Sequence, residues 1–119
     1  MAEIQLKNLG KRWGSFVGVE NFDLTIADKE FLVLLGPSGC GKTTTLRAIA
    51  GLEVPDEGTI TIGENIVFSR SQGVIVPPEK RGAVMVFQNY LLFPYMSVGE
   101  NVGFGLKMRG VDKATIKKR

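Results

Sequence analysis

One short run, Gly36, Pro37, Ser38, Gly39, Cys40, Gly41, Lys42, Thr43 and Thr44, concentrates the groups that handle phosphate. It fits the pattern G-x-x-x-x-G-K-[ST], a glycine-rich loop whose backbone wraps the phosphates of a nucleotide. Phosphate oxygens need donors approaching closely from several directions, and successive backbone N–H groups form a concave anion nest. Gly36, Gly39 and Gly41 permit the dihedrals and the close approach that a Cβ would block. A helix leaving the loop aims its free N–H groups and its dipole at the same anion. Lys42 then reaches the β- and γ-phosphates, and Thr43 offers its hydroxyl to Mg²⁺. Cys40 lies near that helix N-terminus, where a thiol pKa can fall. Its plainer role is a small residue filling loop space, because the backbone does the phosphate work.

Such a loop has to be held between a strand and a helix, and both are legible. Residues 31–35 (Phe-Leu-Val-Leu-Leu) form a continuous apolar run that predicts a buried strand entering the loop. Residues 44–51 predict a short helix leaving it, with Leu46, Ile49 and Ala50 on one face. Residues 83–87 (Ala-Val-Met-Val-Phe) predict a second buried parallel strand. Around this core, residues 4–9 and 24–26 read as further strands. Residues 55–58 (Pro-Asp-Glu-Gly) read as a turn. Residues 59–62 and 65–68 read as short strands separated by Gly63 and Glu64. Residues 69–80 are polar and proline-bearing, hence loop. Residues 97–100 (Ser-Val-Gly-Glu) resemble a capping box opening a helix toward Met108. Gly99, Gly103 and Gly105 count against that helix, and Gly110 would stop it.

The chain has 119 residues, enough for one domain with a real core. Its 44% hydrophobic and 23% charged content describes a globular chain, neither disordered nor fibrous. No apolar run approaches the roughly 20 residues of a membrane span, and the first residues lack the pattern of a signal peptide. A single cysteine makes no internal disulfide and points to a reducing cytoplasm. The net charge of +3 is uneven, because residues 107–119 hold six basic side chains against Asp112 alone. Such a tail could meet nucleic acid or an anionic membrane. The favoured reading is a helix beginning at Asp112 with a solvated basic face and no nucleic-acid partner.

In this order the pieces closely resemble the ATP-binding subunit of an ABC transporter. The resemblance rests on Lys11-Arg-Trp-Gly, residues 36–44, Arg47-Ala-Ile-Ala-Gly-Leu and Pro55-Asp-Glu-Gly. It rests further on residues 86–94 (Val-Phe-Gln-Asn-Tyr-Leu-Leu-Phe-Pro) with Ser97-Val-Gly-Glu-Asn after them. Residues 77–81 (Pro-Pro-Glu-Lys-Arg) resemble the carbohydrate-importer branch, although polyamine, iron and sulfate importers carry similar segments. The implied fold class is α/β, a P-loop NTPase fold present in part. An N-terminal antiparallel β subdomain (residues 1–30 and 58–70) would join an incomplete parallel core sheet with helices (31–52 and 83–96). The start of a helical region would follow (97–119).

The resemblance implies further roles. Trp13, which on residues alone either packs on the N-terminal sheet or offers its indole face, would stack on adenine, joining the cofactor-binding set of residues 36–44. Gln88, which could simply satisfy backbone groups at a turn, would touch Mg²⁺ or the attacking water, making Lys42 and Gln88 the catalytic pair and Thr43 and Gln88 the metal contacts. ATP and Mg²⁺ are the implied cofactors. The implied partners are transmembrane permease subunits, meeting the chain near residues 88–95 with Phe93 and Tyr95 foremost, and a second ATP-binding subunit. The implied location is peripheral, on the cytoplasmic face of the inner (plasma) membrane.

Departures from the family pattern matter equally. The chain has no histidine, no four apolar residues followed by Asp-Glu, and no Leu-Ser-Gly-Gly-Gln signature. The family's switch histidine, Mg²⁺-anchoring aspartate and catalytic glutamate all fall later, so the expectation is an N-terminal part of a protein roughly two to three times longer. The full-length protein would be a transport-coupled ATPase, and the 119-residue chain alone would bind nucleotide with negligible turnover. Two other readings stand beside this one. A nucleotide kinase would need a substrate-phosphate site rich in arginine, for which Arg47, Arg70 and Arg81 are too scattered. A non-catalytic ATP-binding or interaction module would bind without turnover. An uncovered parallel sheet would also leave apolar edges open to self-association.

Overall fold

The structure is a computed structural model that describes residues 2–37, 39, 41–87 and 91–119. Two compact units divide the chain, Met1–Met85 and Val86–Arg119.

The first unit is built on a five-stranded antiparallel sheet of order β2-β1-β3-β4-β5. Its strands are β1 (Ile4–Trp13), β2 (Phe16–Ile26), β3 (Glu57–Ile62), β4 (Asn65–Ser69) and β5 (Val74–Ile75). β1 and β2 are far longer than the segments 4–9 and 24–26 suggest, and they meet through a turn at Gly14 and Ser15. Bulges hide that length from a search for strict alternation. Asn8 and Asn21 both adopt positive φ, and the β1–β2 register shifts between Leu6 and Leu9 and again on either side of Lys11. One result is that Leu6 and Leu9, three residues apart, are both buried on the core face.

β3 passes so close to this bulge that residue 58 has to be glycine. Gly58 sits at φ +102°, and a Cβ there would lie 2.7 Å from the carbonyl oxygens of Lys7 and Asn8. The predicted turn at residues 55–58 is thus the docking of β3 onto β1. Asp56 fixes it, donating its N–H to the Gly10 carbonyl and accepting from the Arg12 N–H at 2.7 Å. The hairpin β3–β4 turns at Gly63 and Glu64 as expected. The polar stretch after it holds β5 and a single 3-10 turn, Pro78–Lys80.

Helix α1 (Lys42–Ala50) packs on this sheet through Ala48 and Ile49, which join Leu6, Leu9, Val19, Ile60, Val67 and Phe68 in one core. Its buried positions are Thr45, Ala48, Ile49 and Ala50, an i, i+3, i+4 stripe. Leu46, expected on that face, is 46% exposed. Thr45 takes its place because its hydroxyl donates to the Gly41 carbonyl, which removes the cost of burying it.

The two apolar runs expected as parallel core strands, 31–35 and 83–87, enter no ladder among the described residues. Phe31 is 92% and Val84 93% exposed. A parallel strand takes its hydrogen bonds from a neighbour brought alongside by a crossover. Without one, an extended run keeps its backbone and its side chains in solvent.

The second unit is a loop and two helices, α2 (Val98–Met108) and α3 (Lys113–Lys118). α2 forms despite its three glycines because both ends are held. The Ser97 Oγ accepts the Glu100 N–H at 3.1 Å, the expected N-cap. Gly110, at φ +78°, donates to the Lys107 carbonyl and ends the helix. One glycine is also a packing site, since a Cβ on Gly103 would stand 2.8 Å from the Ile116 side chain of α3. Ahead of α2, the Asn101 amide ties down the preceding loop. Its Oδ1 accepts the Phe93 N–H, and its Nδ2 donates to the Met96 and Ser97 carbonyls. Among the described residues no helix is long and apolar enough to cross a membrane.

Candidate nucleotide site

Residues 36, 37, 39 and 41 precede α1 outside any helix or strand. Gly39 and Gly41 lie at φ +82° and +92°, and Gly41 is the N-cap of α1, whose free N–H groups no side chain among the described residues caps. Those groups and the helix dipole therefore face outward at the loop. Lys42, half-buried at the first helical position, turns its ammonium back across the loop to the Gly36 carbonyl. That contact places a positive charge beside Gly36, at the start of the glycine-rich segment. Thr43 is exposed beside it, and among the described residues nothing takes its hydroxyl. Mg²⁺ keeps several waters and takes one or two protein oxygens besides phosphate oxygens. A single exposed hydroxyl fits an ion carried on a nucleotide. Thr44 is half-buried, and Gly36 and Pro37 are exposed. Ser38 and Cys40 lie outside the described residues, as does Gln88.

Trp13 closes β1 on the same unit, paired across the hairpin with Phe16. It is 43% exposed, with its ring 6.1 Å from that of Phe16 and tilted by 33°. The Lys11 ammonium stands 5.6 Å from the indole centroid. That ammonium is itself held by Glu53 at 3.4 Å and Asp56 at 3.7 Å, so one charge network links β1 to the segment after α1. The indole and the phosphate loop both abut residue 18 of β2. The Trp13 ring lies over Gly18, and the Gly18 carbonyl lies against Gly41. An aromatic face and the glycine-rich loop before α1 are thus neighbours across one glycine.

One residue organises this unit in a way that its place in the sequence does not reveal. Arg81 is buried, and its guanidinium donates from Nε to the Val76 carbonyl at 2.7 Å and from Nη1 to the Ala48 carbonyl at 2.8 Å and the Ile49 carbonyl at 3.3 Å. It caps the C-terminal end of the helix whose N-terminus is the phosphate loop, placing a cation at the negative end of the dipole. Desolvation lowers its pKa from the ordinary value, and the three carbonyls stabilise the charge that burial disfavours. Nothing in the residue spacing marks such a contact, because residue 81 lies over thirty positions from its partners on α1.

In the second unit, Phe93 packs on Phe104 with centroids 4.6 Å apart, whereas Tyr95 is 99% exposed. Of the two aromatic residues expected at a partner, Tyr95 stands in solvent and Phe93 serves the loop's own packing. A separate cavity of about 440 Å³ is lined by Ile62, Ile66, Val76, Lys80 and Arg81 among others, and by none of the described residues of 36–44.

Comparison with known proteins matches this arrangement. The family model described as ABC transporter covers residues 19–119. The trehalose/maltose import ATP-binding protein MalK of Thermococcus litoralis is 48% identical over 119 residues, which are 100% of this chain and 32% of that protein. The Fe(3+) ions import ATP-binding protein FbpC of Escherichia coli K12 is 52% identical over 116 residues, 98% of this chain and 32% of its own length. The chain therefore spans about a third of the length of these relatives. Among solved structures, the dimeric ATP-binding cassette MJ0796 in a post-hydrolysis state, bound to ADP and Pi, superposes with a TM-score of 0.78 at 28% identity. That superposition covers 97% of this chain and 53% of the cassette, which places the antiparallel sheet and phosphate-loop helix in a P-loop α/β fold. On these grounds the chain belongs to the ABC transporter family, among its ATP-binding subunits.

Proposed function

We propose that this chain forms the nucleotide-binding part of an ATP-binding subunit that powers solute import. The carrying observation is that Lys42 returns its charge to the Gly36 carbonyl at the N-terminus of α1. Residues 36–44 take the phosphates of ATP, Thr43 takes Mg²⁺, and Trp13 takes the adenine face. Mg²⁺ bound there would neutralise phosphate charge. Lys42 stabilises charge on the transferring phosphoryl group, and Gln88 serves the metal or the attacking water. Residues 31–52 and 83–96 make up the nucleotide-binding core, 1–30 and 58–70 the β subdomain, and 97–119 the start of the helical region. MJ0796 bound to ADP and Pi supports an ATP-to-ADP cycle at such a loop.

MalK and FbpC support import, and their solutes, a sugar and a metal ion, differ. Residues 77–81 incline the reading toward a sugar. The partners are permease subunits, meeting the exposed Leu92 and Tyr95 region, and a second ATP-binding subunit. This arrangement puts the protein on the cytoplasmic face of the inner membrane.

The 119-residue sequence holds no histidine and no Asp-Glu pair after an apolar run, so nothing convincing in it activates water. The chain by itself is expected to bind MgATP and turn it over negligibly. Calorimetric titration with MgATP, run beside a phosphate-release assay, checks both halves. Saturable binding lost in Lys42→Ala, with no release above background, is the expected result. Turnover that Lys42→Ala abolishes would refute the second half, and unaltered affinity in Lys42→Ala would refute the site.

A further inference from the structure

Gly18 is a glycine that its own backbone does not require. It lies inside β2 without a positive φ, where a β-branched or aromatic residue is the favoured choice. Its surroundings supply the reason. A Cβ at residue 18 would stand 3.3 Å from Cη2 of Trp13 and only 2.5 Å from Cζ3, and real Cβ atoms essentially never show the shorter separation. Toward the phosphate loop, a Cβ on Gly41 would stand 2.5 Å from the Gly18 carbonyl oxygen and 3.0 Å from Val19 Cγ2. Residue 18 is therefore in van der Waals contact with the indole through its α-carbon and with the loop through its carbonyl.

We propose that Gly18 is a positioning residue, which sets the spacing between the Trp13 indole and the phosphate loop by letting the ring rest on the β2 backbone. The proposal rests on Trp13 taking the nucleotide's base. A side chain at residue 18 lifts the ring from the strand, and the ring is the movable part. It is the far end of a side chain, half-exposed, and stands beside Phe16 and the Lys11 ammonium. The loop meets residue 18 through the carbonyl, which an added Cβ does not touch. Base and phosphate contacts are thus separable at this position, because a ligand with phosphates and no base does not use the indole.

The test compares MgATP with magnesium tripolyphosphate by calorimetric titration, on the natural 119-residue chain, Gly18→Ala, Trp13→Ala and the double variant. Trp13 is the one tryptophan of the chain, so its emission reports the ring directly. Gly18→Ala is expected to shift that emission before any ligand is added and to weaken MgATP about tenfold, on the scale of one base–aromatic stack. Its tripolyphosphate affinity should stay at the natural value. The double variant should bind both ligands as Trp13→Ala does, since a Cβ has no ring to displace.

Equal weakening of both ligands in Gly18→Ala would overturn the proposal in favour of simple support of the loop. Unaltered emission and MgATP affinity would overturn it too. If Trp13→Ala weakens MgATP while Gly18→Ala does not, this inference alone fails. If Trp13→Ala binds MgATP normally, the stacking reading fails and takes the inference with it. Should Gly18→Ala not fold, a folded double variant supports the ring clash, and an unfolded double variant contradicts it.

Discussion

Two apolar regions of this chain reach opposite ends. In the antiparallel sheet, Leu6, Leu9, Ile60 and Phe68 are almost wholly buried. In residues 31–35 and 83–87, equally apolar, Phe31, Leu35, Val84 and Val86 are almost wholly exposed. Hydrophobicity does not separate them; the distance to a hydrogen-bonding partner does. The pairs β1–β2 and β3–β4 are hairpins, each closed by a turn of two residues, and α1 lies on the sheet they build. A parallel strand obtains its ladder only from a strand beyond a crossover. The lesson is that an apolar run marks what a segment can bury, and its pairing decides whether it does.

Mutations can break this comparison from either side. Phe68→Ala should show the largest effect, about 3–5 kcal/mol off the unfolding free energy in urea, because it empties the centre of the sheet's core. A loss under about 1 kcal/mol would mean the core is looser than its burial implies. Arg81→Met should come next, at about 1.5–3 kcal/mol, the range for hydrogen bonds from a charged donor. Hydrogen exchange should place that loss at the last turn of α1, and uniform exchange across the sheet would argue against a cap. Phe31→Ser should be smallest, within about 0.5 kcal/mol, as for an exposed position. A cost above about 1 kcal/mol would show that residues 31–35 pack in solution, and the contrast would then fail.

Legibility in the sequence follows the same division. The motif of residues 36–44 is legible as a fixed spacing of glycine, lysine and threonine, and the helix after it was readable because i, i+3, i+4 burial is local. The hairpin at Gly63 and the Ser97 cap were readable for the same reason. The full lengths of β1 and β2 were not, since Asn8 and Asn21 break the alternation that marks a strand. Apolar periodicity puts Leu46 on the buried face, and the hydroxyl bond from Thr45 to Gly41 lets the threonine take that face instead. Arg81 and Gly18 act through contacts between distant segments, and no local pattern announces either. Trp13 illustrates the limit, since its type leaves packing and stacking open while its closeness to Gly18 and Gly41 came only from the fold.

The central claim is that residues 36–44 and Trp13 form one nucleotide site. Its most direct test is a titration of ¹⁵N-labelled chain with MgATP, followed by amide and indole N–H chemical shifts. The account predicts that saturable shifts cluster at Gly36, Gly39, Gly41, Lys42, Thr43 and Thr44, with Gly18 and the Trp13 indole moving on the same binding curve. Shifts confined to the cavity lined by Ile62, Ile66, Val76 and Arg81, with the phosphate loop and Trp13 unmoved, would contradict it.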